Sequence, residues 1–324
     1  MSRVTVLAGG VGGARFVRGL AHHLPGAEIS VIANTGDDLW LAGLRVCPDL
    51  DSIMYTLGAA NDEQRGWGRV GESERVSAEL TAYGVGWPWF TLGDLDLGTH
   101  IARSALLRDG LTLTETTARL AARWNIGVRL LPVTDDEVET HVEIVDPETG
   151  AVRVIHFEEW WVRHRASVPA RRFLHRGVDS AAATEEALDA LRTADIVLFA
   201  PSNPVVSIGT ITAIPGITEA VRAASGPVIG IAPIIAGQAV RGMADACLRA
   251  IGVDTTASAV GRHYGAREAG GLLDGWLVDE TDAASVAELE EAGIRTEAVP
   301  LWMTDVQASA AIAAAAVALA ERLR

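Results

Sequence analysis

The first 34 residues run strand, glycine-rich turn, helix, strand, and no other feature of the chain constrains its fold as tightly. "RVTVLAGG" (3–10) is a β-branched run that breaks into glycine. "ARFVRGLAHHL" (14–24) sets Phe16, Val17, Leu20 and Leu24 at helical spacing, and "EISVIAN" (28–34) is a second strand. A strand–helix–strand unit makes its two strands parallel, joins them by a crossover helix, and puts ligands at the strands' carboxyl ends. The apolar runs in "ADIVLFAPSNP", "GPVIGIAPIIAG" and "GLLDGWLVDETD" lack alternation, as strands covered on both faces do.

The expected fold is therefore α/β, a doubly wound, Rossmann-like parallel sheet forming a single domain over residues 1–324. Residues 60 to 180 or so read differently. They hold six of the nine tryptophans and polar-alternating runs such as "ETHVEIVD" and "AVRVIHFEEWWV", which predict an inserted helical and antiparallel cap. "TEAVPLWMTD" leads into the Ala-dominated "ASAAIAAAAVALAERL", expected as a final buried helix too short to span a membrane.

Composition excludes several functions. A formal charge of −15 speaks against a nucleic-acid partner. Cys47 and Cys247 stand too far apart for a metal-type pair, and no signal-peptide core opens the chain, so a cytoplasmic setting is expected. All 27 basic residues are arginine. Without lysine there is no Schiff base and no Walker A cation, so any phosphate must be held by arginine, backbone N–H groups or a metal ion.

"AGGVGGAR" (8–15) stands where a strand opens a helix, the context for a phosphate-binding turn, with Arg15 as a supporting cation. It fails the dinucleotide fingerprint, whose third glycine would fall on Arg15, which weakens an NAD oxidoreductase reading. A plain packing turn is the other reading. "GDDLWLAGLRVCPDLD" (36–51) follows the second strand and carries Asp37, Asp38, Asp49 and Asp51 against a single basic residue, Arg45. Helix capping by Asp49 or Asp51 accounts for one of them at a time. As a group, with Asp94 and Asp96 of "TLGDLDLGTH" behind a strand-like segment, they suit magnesium beside a phosphate. "PSNPVVSIG" (201–209) offers Ser202, Asn203 and Ser207 in a proline-fixed loop, either to read a planar base or to bond its own backbone.

These motifs together, with "YTLG", "GWG", "LGDLDLGTHIARS", "HFEEWWVR", "IAPIIAG" and "VGRHYGA", resemble the 2-phospho-L-lactate transferase family of deazaflavin coenzyme biosynthesis in its actinobacterial form, from about Val4 to Thr304. The resemblance implies a magnesium-dependent transfer of a phosphoenolpyruvyl or phospholactyl group from a guanosine diphosphate-linked donor to the ribityl hydroxyl of the deazaflavin Fo, releasing GMP, in a homodimer. It places Gly9, Gly10, Gly12 and Gly13 at the donor diphosphate and Ser202, Asn203 and Pro204 at guanine. It makes Asp49 catalytic, at the metal and both substrates, with Asp37 as second metal ligand and Asp94 at the substrates. Leu95 stands where many relatives carry a basic residue; either another arginine, with Arg103 the candidate, substitutes for it or acceptor binding is altered. Trp87, Trp89, Trp160 and Trp161 are candidates to stack on the acceptor, with core packing as the plainer role. A rival reading is a nucleotide-sugar-binding regulator of the same fold, which needs no Asp49 at a deazaflavin pocket.

Overall fold

The computed structural model describes residues 2–324. Its centre is a seven-stranded sheet built from β1 (Arg3–Ala8), β2 (Glu28–Ala33), β5 (Arg129–Pro132), β9 (Ile196–Phe199), β10 (Val228–Ile231), β13 (Gly275–Val278) and β14 (Arg295–Ala298). Between these lie the hairpin β3 (Leu39–Leu41) and β4 (Leu44–Val46), the three antiparallel strands β6 (Glu139–Val145), β7 (Val152–His156) and β8 (Ala170–Arg176), and the two-residue strands β11 (Ile234–Ile235) and β12 (Gln238–Ala239).

The central order is β14-β13-β10-β9-β1-β2-β5, and every pairing is parallel. Consecutive residues of β1 from Val4 to Ala8 are all buried, although neighbours point to opposite faces, so both faces are covered. That is why these strands show no alternation in the sequence. The chain leaves β1 for β2 and β5, then returns to pair β9 against the other side of β1. The loops after β1 and β9 thus start side by side at the topological switch point, where open α/β sheets bind ligands.

Helix α1 (Gly10–His23) returns the chain from β1 to β2 and packs against the C-terminal helix Val306–Arg322. A β-carbon at Gly19 would collide with the backbone of Ser309, so these helices cross at backbone contact. The Ala-rich stretch suits that close approach and is, as expected, the last helix.

Helix α2 (Pro48–Leu57) starts with proline at its first position. Cys47 is its N-cap and makes no side-chain cap bond, while Asp49 and Asp51 lie in the first turn. Beyond it come α3 (Arg75–Ala82), which buries none of its residues, α4 (Asp94–Arg108) and α5 (Leu113–Ala121). Helix α5 is fixed by a capping box between Thr112 and Glu115. The chain then contributes β5 to the edge of the central sheet before building the antiparallel sheet β7-β6-β8.

One local expectation is corrected. Residues 84–93 form no strand before Asp94, and α4 begins directly there out of an irregular, glycine-punctuated loop. Within "AVRVIHFEEWWV", β7 ends at His156 and the chain coils into a π-helical turn over Glu159–Arg163. The cause is Trp160, which is fully buried and donates its indole N–H to the Val168 carbonyl at 2.7 Å, a geometry an extended run cannot reach. Trp160 is therefore core. Trp87 and Trp89 are only partly buried and stack on each other at 4.7 Å between ring centroids.

Candidate active site

The two loops of the switch point are locked together by one hydroxyl. Ser202 Oγ donates to the Gly9 carbonyl at 2.7 Å and accepts the Gly9 N–H at 3.0 Å. The glycines make this approach feasible. A β-carbon at Gly12 would lie 2.9 Å from the Pro201 carbonyl oxygen, one at Gly13 2.7 Å from Ser202 Oγ, and one at Gly9 2.5 Å from Asp49 Oδ2. Gly10 adopts a φ of +62°, which favours glycine. So Gly9, Gly12 and Gly13 are required by packing, which is the plainer of their two readings. The first turn of α1 nonetheless carries no acidic residue of its own; among the described residues only its Gly10 N–H is met, by the Asp49 carboxylate, and Gly10 and Gly12 are partly exposed. Its N–H groups and dipole therefore favour an anion there.

In the second loop, Asn203 Oδ1 accepts the Val205 and Val206 N–H groups at 2.9 and 3.3 Å, and its amide donates to Cys247 Sγ. Its side chain thus shapes its own turn, while Asn203 stays partly exposed and Pro204 is buried.

The four aspartates of 36–51 divide into two pairs. The turn Ala42–Gly43, with φ of +51° and +76°, folds β3 onto β4 so that Arg45 reaches back to Asp38, at 3.5 Å. Burial pushes the Asp38 carboxyl up to about 7 even against that pairing. Asp51 is gripped by both terminal nitrogens of Arg103 on α4. Arg103 is 1% exposed and committed to this ion pair, so it is not the stand-in for a basic side chain at Leu95. The Leu95 carbonyl instead accepts Arg69 Nη1 at 2.9 Å, and that guanidinium lies over Trp124.

Asp37 and Asp49 have no such partner. Both are 6% exposed, and no arginine pairs with either among the described residues. What joins them is Asn34 at the end of β2, whose amide nitrogen donates to Asp37 Oδ2 at 3.1 Å and Asp49 Oδ2 at 3.0 Å. A third buried carboxylate, Glu158, comes from the turn after β7. Burial, then the charge of Asp49, pushes Glu158 up to about 8. Burial pushes Asp49 up to about 6 against hydrogen bonds from Asn34 and the Gly10 amide. Burial and then the charges of Asp49, Glu158 and Asp38 raise Asp37 well above the carboxylate range. Leaving an ionised carboxylate buried without a cation costs several kcal/mol. Three together retain protons unless a cation replaces them. Asp37 Oδ1, buried without a hydrogen-bond partner, is the atom left for one. The donor set is all oxygen, as magnesium prefers.

Among the described residues, the carboxylate and imidazole group whose ligand atoms all lie within 4.8 Å of one another is a different one, Asp51, Asp96 and His100. Its charges are already met: Arg103 neutralises Asp51, while Tyr55 Oη donates to Asp96 at 2.7 Å and His100 Nε2 lies 3.4 Å from it. It is a buried ion-pair network that ties α2 to α4. Asp94 stands at the start of α4, and its carboxylate accepts the Ser73 N–H and hydroxyl at 2.9 and 2.7 Å. The structure thus brings Gly9, Gly10, Asp37 and Asp49 to one place with the Ser202 loop, and it gives Asp94 a different partner.

The fold and this cluster define an α/β protein with an anion-receptive turn and uncompensated carboxylates at its switch point, a combination suited to metal-complexed phosphates. The chain matches the family model described as 2-phospho-L-lactate transferase CofD over residues 4–318, and it belongs to that family. It is 56% identical over 323 residues to a phosphoenolpyruvate transferase of Streptomyces griseus subsp. griseus, with 99% of each chain covered. It is 53% identical over 319 residues to the one of Nocardia farcinica, covering 98% of this chain and 95% of that one. The chain is accordingly a transferase of the phosphoenolpyruvate/2-phospho-L-lactate class. Its fold matches the crystal structure of a UPF0052 family protein from Bacillus halodurans with a TM-score of 0.62 at 18% identity, over 98% of both chains. No helix among the described residues is long and apolar enough to cross a membrane.

Proposed function

We propose that this chain transfers the phosphoenolpyruvyl group from a guanosine diphosphate-linked donor to the ribityl hydroxyl of the deazaflavin Fo, giving dehydro coenzyme F-420-0 and GMP. The observation that carries the reading is the trio Asp37, Asp49 and Glu158, buried with no arginine partner among the described residues, beside the first turn of α1. The likeness to phosphoenolpyruvate transferases favours phosphoenolpyruvate over phospholactate on the donor. The family likeness also supports a homodimer, which sedimentation tests directly.

In this account the hydroxyl oxygen of the acceptor attacks the distal phosphorus of the donor. The bond from that phosphorus to the bridging oxygen breaks, GMP departs with the oxygen and its electron pair, and the hydroxyl proton goes to Asp49 Oδ1. Asn34 holds the other Asp49 oxygen and so fixes the carboxylate's orientation. Asp37, Asp49 and Glu158 would hold magnesium, which when bound neutralises the diphosphate charge. The Gly10–Gly12 turn receives the diphosphate, and the Ser202–Pro204 loop faces the guanine. Most of the acceleration then comes from positioning and charge, as in phosphoryl transfer generally. Chromatographic detection of GMP, with the product mass read for each donor, is the test. GMP formation that requires Fo and magnesium is the expected result. Binding of a nucleotide-sugar with no GMP from either donor would move the chain to the regulatory branch.

A further inference from the structure

We infer that Arg15 and Arg241 form a cationic jaw that grips the diphosphate of the donor from opposite sides of the site mouth, an inference that rests on the reaction proposed above. A chain without lysine must meet phosphate charge with arginine, backbone N–H groups or metal. Four arginines gather on the α1 side of the mouth. Arg18 is paired with Glu63 at 2.7 Å and Arg65 with Glu74 at 2.6 Å. Arg15 and Arg241 have no carboxylate within ion-pair distance among the described residues, in a chain of net charge −15.

The position of Arg241 is fixed from two sides. Its guanidinium rests against Gly66, where a β-carbon would collide with it. Gly66 closes a turn on the Asp62 carbonyl at 2.8 Å, and Glu63 of that turn binds Arg18, one helical turn of α1 beyond Arg15. Next to Arg241, a β-carbon on Gly242 would lie 3.3 Å from the Trp161 ring, and Trp161 follows Glu158 by three residues. The loop therefore lies against the segment that supplies the third carboxylate, and its arginine rests on the turn whose Glu63 binds α1 through Arg18. Burial, and then the like charge of Arg15, makes Arg241 less basic than usual, which agrees with the two cations lying within electrostatic reach of each other.

Two neighbouring cations repel, and a ligand with two adjacent negative charges relieves that repulsion. When the bridging oxygen leaves with GMP, it gains charge between these donors, so the jaw favours the departing group as well as the bound one. Charge-assisted hydrogen bonds of about 1.5–3 kcal/mol correspond to roughly 10- to 100-fold in affinity per arginine.

The test is calorimetric titration of GDP, and separately of inorganic pyrophosphate, with magnesium present, into the full chain and its Arg15→Gln, Arg241→Gln and Arg18→Gln variants. Guanosine serves as a ligand without phosphate. Arg15→Gln and Arg241→Gln should each weaken GDP and pyrophosphate by roughly 10- to 100-fold and leave guanosine unchanged. Arg18→Gln should stay within about 2-fold of the parent. Unchanged pyrophosphate and GDP affinity in both variants, with melting temperature preserved, overturns the jaw. So does a parent chain that binds neither phosphate ligand. Pyrophosphate binding that the variants weaken, in a chain that ignores the guanosine moiety, keeps the jaw and discards the guanosine donor.

Discussion

The Asn34 side chain donates one hydrogen bond to Asp49 Oδ2 at 3.0 Å and another to Asp37 Oδ2 at 3.1 Å from the same nitrogen. A single neutral amide thereby sets the spacing of two carboxylates that lie twelve positions apart on different elements. Its own oxygen is occupied by the Gly36 N–H at 2.9 Å, so the amide cannot flip without losing all three bonds. Asn34→Ala should lower magnesium affinity about 10- to 100-fold, as removal of a group that orients metal ligands does. Metal titration of the variant measures this, and an unchanged affinity would mean that Asp37 and Asp49 do not act together.

The ion pair between Asp51 and Arg103 predicts a stability effect without a role in transfer. Arg103→Met leaves the buried Asp51 with only His100, 3.5 Å away, in place of its arginine, at an expected cost of about 3–5 kcal/mol. Replacing both partners by apolar residues of similar size should recover much of that loss. Urea denaturation of the single and double variants checks both parts.

Asp96 carries a pH signature. Burial works against its ionisation, but the His100 hydrogen bond and charge and the Tyr55 hydroxyl outweigh it and hold the carboxyl below its ordinary value. A depressed carboxyl stabilises the fold above its unfolded value near 4, and that contribution disappears as pH falls through the folded value. The melting temperature of Asp96→Asn should therefore fall below that of the parent at pH 7, and the gap should narrow progressively as the pH is lowered below about 4. A gap of constant size would show that Asp96 acts by shape alone.

Gly9 separates packing from chemistry. Its backbone is extended, with φ −151°, and would accept alanine, but the added carbon would press on Asp49 Oδ2 at 2.5 Å and on Ser207 at 2.8 Å. Overpacking of this kind costs about 1–3 kcal/mol, and moving a reacting group by about 1 Å costs on the order of 100-fold in rate. Gly9→Ala should thus lose transfer far more severely than stability. Gly26→Ala, with open space around it, should change neither. Equal losses of rate and stability in Gly9→Ala would leave the glycine a packing role only.

Much of the fold was legible because its signals are local. β1, α1 and β2 follow from adjacent residues, and runs of uninterrupted apolar residues mark strands covered on both faces. The site was legible as a region and not as a set of ligands. Asp38 and Asp51 look like Asp37 and Asp49 in sequence, because what distinguishes them is Arg45 on a hairpin and Arg103 more than fifty positions away. Glu158 stood in a motif singled out for the family resemblance, yet only the folding of the separate antiparallel sheet β7-β6-β8 and the turn after it brings it to Asp49. No local pattern carries that folding. The π-helical turn was hidden for a similar reason, since Trp160 finds its pocket through residues that follow it.

The central claim is that Asp37, Asp49 and Glu158 receive the cation, while Asp51, Asp96 and His100 form a closed ion-pair network. Calorimetric titration of magnesium with GDP present tests it most directly, on the parent chain and on Asp49→Asn, Glu158→Gln and Asp96→Asn. The account predicts that the first two variants lose magnesium affinity at least about 10-fold and that Asp96→Asn keeps it. Magnesium binding that survives in Asp49→Asn and Glu158→Gln but vanishes in Asp96→Asn would put the metal in the other cluster and contradict the account.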